Sequence, residues 1–125
     1  MPVYKLENKI QNYAWGSVTA IPDLLGIDNP DRKPMAEMWM GAHPKAPSIV
    51  REAGGETTAL NDLVERDPAA VLGPAAAEKF KRRLPFLFKV LAAETPLSIQ
   101  AHPNLRQAAS GYRRENDAAV PPDAF

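Results

Sequence analysis

Residues 97–103 (Leu-Ser-Ile-Gln-Ala-His-Pro) carry the side chains with the clearest capacity for chemistry. Alternate side chains of a strand point to opposite faces, so the pattern predicts Ser98, Gln100 and His102 on one face and apolar residues on the other. Gln100 and His102 are two positions apart and can reach one ion, and imidazole suits Zn, Fe, Ni or Cu. Pro103 ends the strand because it has no N–H for the ladder.

A solvated polar face on an antiparallel strand is the common alternative for this pattern. Two ligands do not complete a tetrahedral site, and glutamine is an uncommon metal ligand. Spacing alone therefore leaves both interpretations of Gln100 and His102 open.

Lys89 is a cation inside an otherwise apolar run, residues 86–91 (Phe-Leu-Phe-Lys-Val-Leu). Lysine is almost never fully buried without a partner. It either lines a pocket for an anion such as phosphate or carboxylate, or extends to solvent from an edge strand. If this strand pairs as a hairpin with the next one, Lys89 shares a face with Ser98 and Gln100, but the sequence does not determine the register.

Glu37 is a carboxylate in a second apolar run, residues 35–40 (Met-Ala-Glu-Met-Trp-Met), and it needs a partner. A substrate hydroxyl is one candidate, and pairing with Arg or Lys is the commoner one. Trp15 and Trp39 either stack on a ligand such as a sugar ring or belong to the core, and the core is the commoner place. His43, in a turn bounded by prolines, is either a ligand or a surface histidine, and we expect a surface histidine.

Composition excludes several classes of protein. The 125 residues suffice for one domain, and 15 basic residues balance 15 acidic ones. Zero net charge argues against nucleic acid or an anionic membrane as the main partner. The apolar runs are too short to span a bilayer, and the first residues lack the apolar core of a signal peptide. Without cysteine there is no disulfide or thiolate metal site, so we expect a cytoplasmic protein whose metal ligands are N and O donors.

The 13 prolines are spread along the chain and separate short elements, which favours a mainly β fold with added helices. The pattern also indicates a hairpin at Gly54 and Gly55. The predicted elements, in chain order, are strands within 3–10, at 35–41 and 48–50, helices at 21–26, 60–67 and 74–83, strands at 86–91 and 97–102, a helix from 103 or 104 to about 113, and a loop at 116–125.

Four segments occur in an order typical of one enzyme family. They are 12–16 (Asn-Tyr-Ala-Trp-Gly), 36–44 (Ala-Glu-Met-Trp-Met-Gly-Ala-His-Pro), 84–91 (Leu-Pro-Phe-Leu-Phe-Lys-Val-Leu) and 96–104 (Pro-Leu-Ser-Ile-Gln-Ala-His-Pro-Asn). Together they make the chain, over nearly its whole length, resemble the N-terminal part of the type I mannose-6-phosphate isomerase family.

The resemblance implies a zinc-dependent aldose–ketose isomerase that interconverts mannose 6-phosphate and fructose 6-phosphate on a cupin-like β-barrel or jelly roll with added helices. It implies that Gln100 and His102 bind the zinc ion. It further implies that Ser98 and Lys89 hold the substrate near its phosphate, and that two more residues line the sugar pocket, Trp15 and Glu37.

The family continues, after a loop like that at 121–122, with a motif whose glutamate binds zinc; its second metal-binding histidine and an arginine thought to act in catalysis also lie further on. We therefore expect residues 1–125 to be the N-terminal part of the isomerase domain, with an incomplete barrel, no assigned catalytic base and no activity alone. The alternatives are a non-catalytic sugar- or metal-binding cupin-like module and an incomplete barrel that is unstable alone. The oligomeric state stays open.

Overall fold

The computed structural model describes residues 3–51, 54–99 and 101–119. These residues form six strands and five helices. In chain order they are β1 (Lys5–Glu7), β2 (Lys9–Gln11), α1 (Ala20–Leu25), β3 (Glu37–Met40), β4 (Ile49–Arg51), β5 (Thr57–Ala59), α2 (Leu60–Arg66), α3 (Pro68–Leu72), α4 (Pro74–Lys79), β6 (Phe88–Leu91) and α5 (Leu105–Asp117).

One antiparallel sheet has the order β2-β3-β6, and its two faces differ in chemistry. Ile10, Met38 and Val90 lie directly opposite one another across the three strands. They pack with the buried side chain of Ile21 from α1, and Ala92 completes this cluster. The helix α1 therefore covers the apolar face, and the polar residues of the same strands project from the other face.

The second antiparallel sheet has the order β1-β4-β5 and a separate apolar cluster. Val50 is fully buried there against α2, whose apolar residues Leu60, Leu63 and Val64 recur at helical spacing. Each sheet thus has its own small core.

Ser48 connects the two sheets through buried hydrogen bonds. Its hydroxyl accepts from the Gly41 N–H at 3.0 Å and donates to Asn8 Oδ1 at 2.8 Å. Its carbonyl oxygen accepts from the Leu60 N–H at 2.8 Å. The side chain is fully buried, and these partners satisfy the hydrogen-bonding capacity of its hydroxyl. Ser48 thereby ties the β1–β2 junction, the end of β3 and the start of α2 together.

A short extended segment, residues 15–17, lies between the start of β3 and the end of β6. The Ser17 N–H donates to the Ala92 carbonyl at 2.7 Å, and the Ser17 carbonyl accepts from Met35 at 2.9 Å. Gly16 makes this possible, since a Cβ at this position would lie 2.5 Å from the Ala36 nitrogen. The close backbone approach requires glycine here.

Several predicted elements are confirmed and others differ. The helix predicted at 60–67 is α2, Pro74 begins α4, and Gly54 and Gly55 lie in the hairpin that joins β4 and β5. The strand candidate within 3–10 is two strands separated by Asn8, and the helix predicted at 74–83 already ends at Lys79. The patterns predicted neither α3 nor β5.

The helix predicted near residue 103 is α5, which begins with a capping box formed by Asn104 and Gln107 and extends to Asp117. The loop predicted from residue 116 therefore begins only after Asp117, and residues 120–125 lie outside the described part of the chain.

The strand predicted at 97–102 is wrong for the residues that are described there. Residues 97–99 and 101–104 have no regular secondary structure, and Ile99 is completely exposed. Alternation alone does not make a strand, because the backbone also needs a neighbouring strand to pair with. In the described residues β6 pairs with β3, and no strand lies beside residues 97–99.

The predicted fold class is confirmed: two small sheets and short helices form the structure, and within residues 3–51, 54–99 and 101–119 the sheets do not close into a barrel. None of the helices in these ranges is long and apolar enough to cross a bilayer.

Candidate functional site

The polar face of the β2-β3-β6 sheet brings Glu37, Trp39 and Lys89 together. Glu37 and Trp39 are two apart on β3 and therefore point to the same side. Lys89 on β6 lies directly opposite Trp39, and Lys9 on β2 lies opposite it on the other flank. Strand register thus places one lysine on each side of the Trp39 position, Lys9 on β2 and Lys89 on β6.

Glu37 accepts two hydrogen bonds on one oxygen. Trp39 Nε1 donates to Oε2 at 2.5 Å, and Lys89 Nζ donates to the same atom at 3.0 Å. Among the described residues no hydrogen bond reaches Oε1. The Glu37 side chain is only 11% exposed, so the pairing compensates a carboxylate that is largely removed from water.

Lys89 extends to solvent from an edge strand, which is one of the two interpretations that its sequence context left open, and it also pairs with a carboxylate of the chain itself. Its strand is at the edge of the sheet, and 34% of its side chain is exposed. Its ammonium pairs with Glu37 and also lies 4.6 Å from the centroid of the Trp39 ring, which is cation–π geometry. The charge pairing expected for Glu37 is present, with Lys89 as the partner.

The Glu37 pKa reflects opposing effects. Burial raises the pKa, but the hydrogen bonds from Trp39 and Lys89 and the positive charge of Lys89 lower it. The net result is a pKa below the ordinary value, so the carboxylate is ionised at neutral pH.

Trp15 reaches the same end of the sheet through the segment 15–17. Its carbonyl accepts from the Glu94 N–H at 2.9 Å, and its half-buried ring stacks on Tyr13 with centroids 5.8 Å apart. Trp15 is therefore on the surface of the core rather than inside it, as a residue that contacts a ligand would be.

His43 is only partly exposed and contacts the site from the end of β3. Its ring meets the Trp39 ring edge-on, with centroids 4.7 Å apart and an interplanar angle of 70°. Its Nδ1 accepts from the Lys45 N–H at 3.2 Å. The sequence interpretation as a plain surface histidine missed this contact, and the only available signal was its closeness to Trp39 in the chain.

The predicted metal ligands are not assembled with Glu37 and Lys89 in the described residues. Ser98 and His102 are exposed and not in a strand, and Gln100 lies outside the described residues. His102 lines an open cleft of about 800 Å³ along α5, whose other walls include Arg114 and Glu115. The hairpin between β6 and the Ser98 segment, which the sequence left as one possibility, is absent from the residues that the structure describes.

Zinc fits the donor chemistry of this segment only in part. An imidazole nitrogen and an amide oxygen are acceptable zinc ligands, but a structural or catalytic site needs three or four protein donors. In the described ranges, no group of three or more His, Cys, Asp or Glu side chains is placed to hold a metal ion.

The geometry is therefore an aromatic ring flanked by a cation and a carboxylate on one face of a small antiparallel sheet. A family model, phosphomannose isomerase type I, catalytic domain, matches residues 3–122. The chain belongs to this family.

Two relatives show how close the similarity is. The mannose-6-phosphate isomerase of Salmonella typhimurium is 56% identical over 120 residues, which are 96% of this chain and 30% of that protein. The Escherichia coli protein of the same name is 53% identical with the same coverage. The chain thus spans about 30% of the length of the relatives that it matches.

Solved structures agree with the fold. A zinc-bound mannose 6-phosphate isomerase superposes with a TM-score of 0.83 at 55% identity, covering 97% of this chain and 30% of that one. The Salmonella enzyme bound to fructose 6-phosphate and zinc superposes with a TM-score of 0.82 and the same identity and coverage. Variants of the Salmonella enzyme with a lysine, a histidine or a glutamate replaced have also been solved.

Proposed function

We propose that this chain provides the sugar-phosphate-binding face and two metal ligands of an enzyme that interconverts mannose 6-phosphate and fructose 6-phosphate. The observation that carries the proposal is the Glu37–Trp39–Lys89 cluster on a chain that belongs to the type I phosphomannose isomerase family. A relative that binds fructose 6-phosphate and zinc shares this fold.

Lys89 is the residue that we assign to the phosphate end of the substrate. An ammonium has three N–H donors, and Glu37 occupies one of them. The other donors remain for phosphate oxygens, with Ser98 as a second, hydroxyl donor. Oε1 of Glu37, which accepts no hydrogen bond from the described residues, accepts a sugar hydroxyl, and Trp15 supplies an aromatic face for the sugar ring.

Gln100 and His102 are the residues that we assign to zinc, and the other donors lie elsewhere in the whole enzyme. When bound, zinc supplies Lewis-acid stabilisation of the charge that develops on sugar oxygens during isomerisation. A sugar phosphate as substrate and a metabolic role also accord with a cytoplasmic location and with no nucleic-acid or membrane partner.

The sugar-phosphate assignment is tested by titrating the 125-residue protein with mannose 6-phosphate and following the indole N–H signals of its two tryptophans by NMR. We expect saturable shifts, and we expect Lys89→Ala to raise the dissociation constant by about tenfold or more, because a charged hydrogen bond contributes about 1.5–3 kcal/mol. Lys9→Ala is the matched control, since Lys9 is exposed and also faces Trp39 from the neighbouring strand. Equal weakening by both variants, or no shifts at millimolar ligand, would overturn the assignment.

The zinc assignment is tested by calorimetry with zinc alone. His102→Ala should abolish the weak binding that we expect, and His43→Ala should preserve it; these are the only histidines in the sequence.

We expect no isomerase turnover from these 125 residues alone, and turnover near that of a full-length relative would contradict this. If the reading frame beyond Phe125 lacks a glutamate-bearing metal motif, a non-catalytic sugar- or metal-binding module becomes the better conclusion.

A further inference from the structure

We propose that Trp39 is a positioning residue that holds Glu37 and Lys89 in the arrangement needed to receive a sugar phosphate. The role of the cluster in sugar-phosphate binding rests on the function proposed above. The holding of the two charged groups by Trp39 rests on the contacts alone.

Trp39 contacts every other member of the cluster. Its Nε1–H donates to Glu37 Oε2 at 2.5 Å, and its ring lies under the Lys89 ammonium, 4.6 Å from the ring centroid. Outside the cluster, its ring also packs against that of His43, with centroids 4.7 Å apart. Indole is rigid and has a single N–H donor, so one side chain fixes both partners at once.

The hydrogen-bond pattern shows what this arrangement achieves. Trp39 and Lys89 both bind Oε2 of Glu37, which orients the carboxylate and leaves Oε1 without a hydrogen bond among the described residues. Without the indole N–H, the carboxylate would keep only Lys89, whose four-carbon stem is flexible. Trp39 therefore determines which carboxylate oxygen is presented to a ligand.

Lys9 shows that charge alone does not define the cluster. It faces Trp39 from β2 at the same register position as Lys89 on β6, yet among the described contacts only Lys89 pairs with Glu37. The arrangement is thus specific to one flank of the indole.

The test titrates Glu37 by carboxyl-carbon NMR in the full 125-residue chain and in Trp39→Phe. Phenylalanine removes the N–H donor and keeps a smaller aromatic face for Lys89. We expect the Glu37 pKa to rise in this variant and the dissociation constant for mannose 6-phosphate to increase about tenfold. Trp15→Phe serves as the control for the titration only, and it should leave the Glu37 pKa unchanged.

The wild-type chain gives a second readout that needs no variant. The Nε1–H signal of Trp39 should move as the pH falls through the Glu37 pKa, and that of Trp15 should not. An unmoved Trp39 signal, or an unchanged Glu37 pKa in folded Trp39→Phe, would overturn the positioning role. If wild-type protein fails to bind mannose 6-phosphate, the proposed function fails, while the two titrations still decide the role of Trp39.

Discussion

Glu37 is ionised in a largely buried position because two donors share one of its oxygens. The pKa of this carboxyl lies below the ordinary value of 4.5 that applies in an unfolded chain. A lowered folded-state pKa contributes stability that is fully present above the unfolded value and is lost as the pH falls through the folded value. The Glu37–Lys89 pair therefore stabilises the fold at neutral pH and ceases to do so in acid.

Glu37→Gln should accordingly lower the free energy of unfolding at pH 7, and its difference from wild type should shrink as the pH falls below about 4.5. Urea unfolding at several pH values between 7 and 3 measures this difference. Glu7→Gln is the control, since Glu7 pairs with Arg51 on the exposed face of the other sheet and should matter less. A Glu37→Gln difference that is constant with pH would contradict the prediction.

At the scale of elements, the segment 15–17 bonds to the residues that precede β3 and follow β6, two strands that also pair with each other. It receives and donates backbone hydrogen bonds at the start of β3 and the end of β6, and it carries Trp15 to that end of the sheet. The contact depends on Gly16, because the Ala36 backbone occupies the space of a side chain. One glycine thus couples an aromatic residue of the proposed site to the strand that bears Glu37.

Gly16→Ala should lower the free energy of unfolding by about 1–3 kcal/mol, since a methyl group there must displace backbone. Gly111→Ala is the matched control: it lies in α5, and a Cβ would meet no atom within 4 Å. Alanine at position 111 should raise helix stability by at most about 1 kcal/mol. Chemical denaturation of both variants measures the contrast, and equal effects would refute the steric argument.

At the scale of the whole molecule, one sheet has an edge strand, β6, with exposed large apolar side chains. Phe88 and Leu91 on the edge strand β6 are about 61% and 60% exposed, and Ile99 and Leu105 nearby in sequence are almost fully exposed. The helix α5 has no buried residue among those described. An exposed edge strand with large apolar side chains favours pairing with another chain.

We therefore expect the 125-residue protein to self-associate as its concentration increases, and Phe88→Lys to reduce this association. Leu24→Lys is the control, because Leu24 is 62% exposed but lies on the helix α1. Sedimentation velocity of the wild type and both variants measures the effect. Association that persists in Phe88→Lys and disappears in Leu24→Lys would place the contact surface elsewhere.

Local patterns predicted most of the elements that form the site. The alternation of residues 37–40 separates Glu37 and Trp39 from Met38, and the apolar run at 86–91 is β6 over its last four residues. The resemblance carried by four short motifs also predicted the family, which the comparisons confirm. Residue types at fixed spacing suffice for these conclusions because strand alternation and motifs are local properties of the chain.

Tertiary structure decided which side chains meet. The sequence left the register of Lys89 open, with Ser98 and Gln100 as neighbours only if a hairpin formed, and the structure places it opposite Trp39 and beside Glu37, 52 positions away in sequence. The alternating segment that contains Ser98 and His102 has no neighbouring strand among the described residues and stays irregular. The sequence determined the faces of each strand, and only non-local backbone pairing determined the register and thereby the composition of the site.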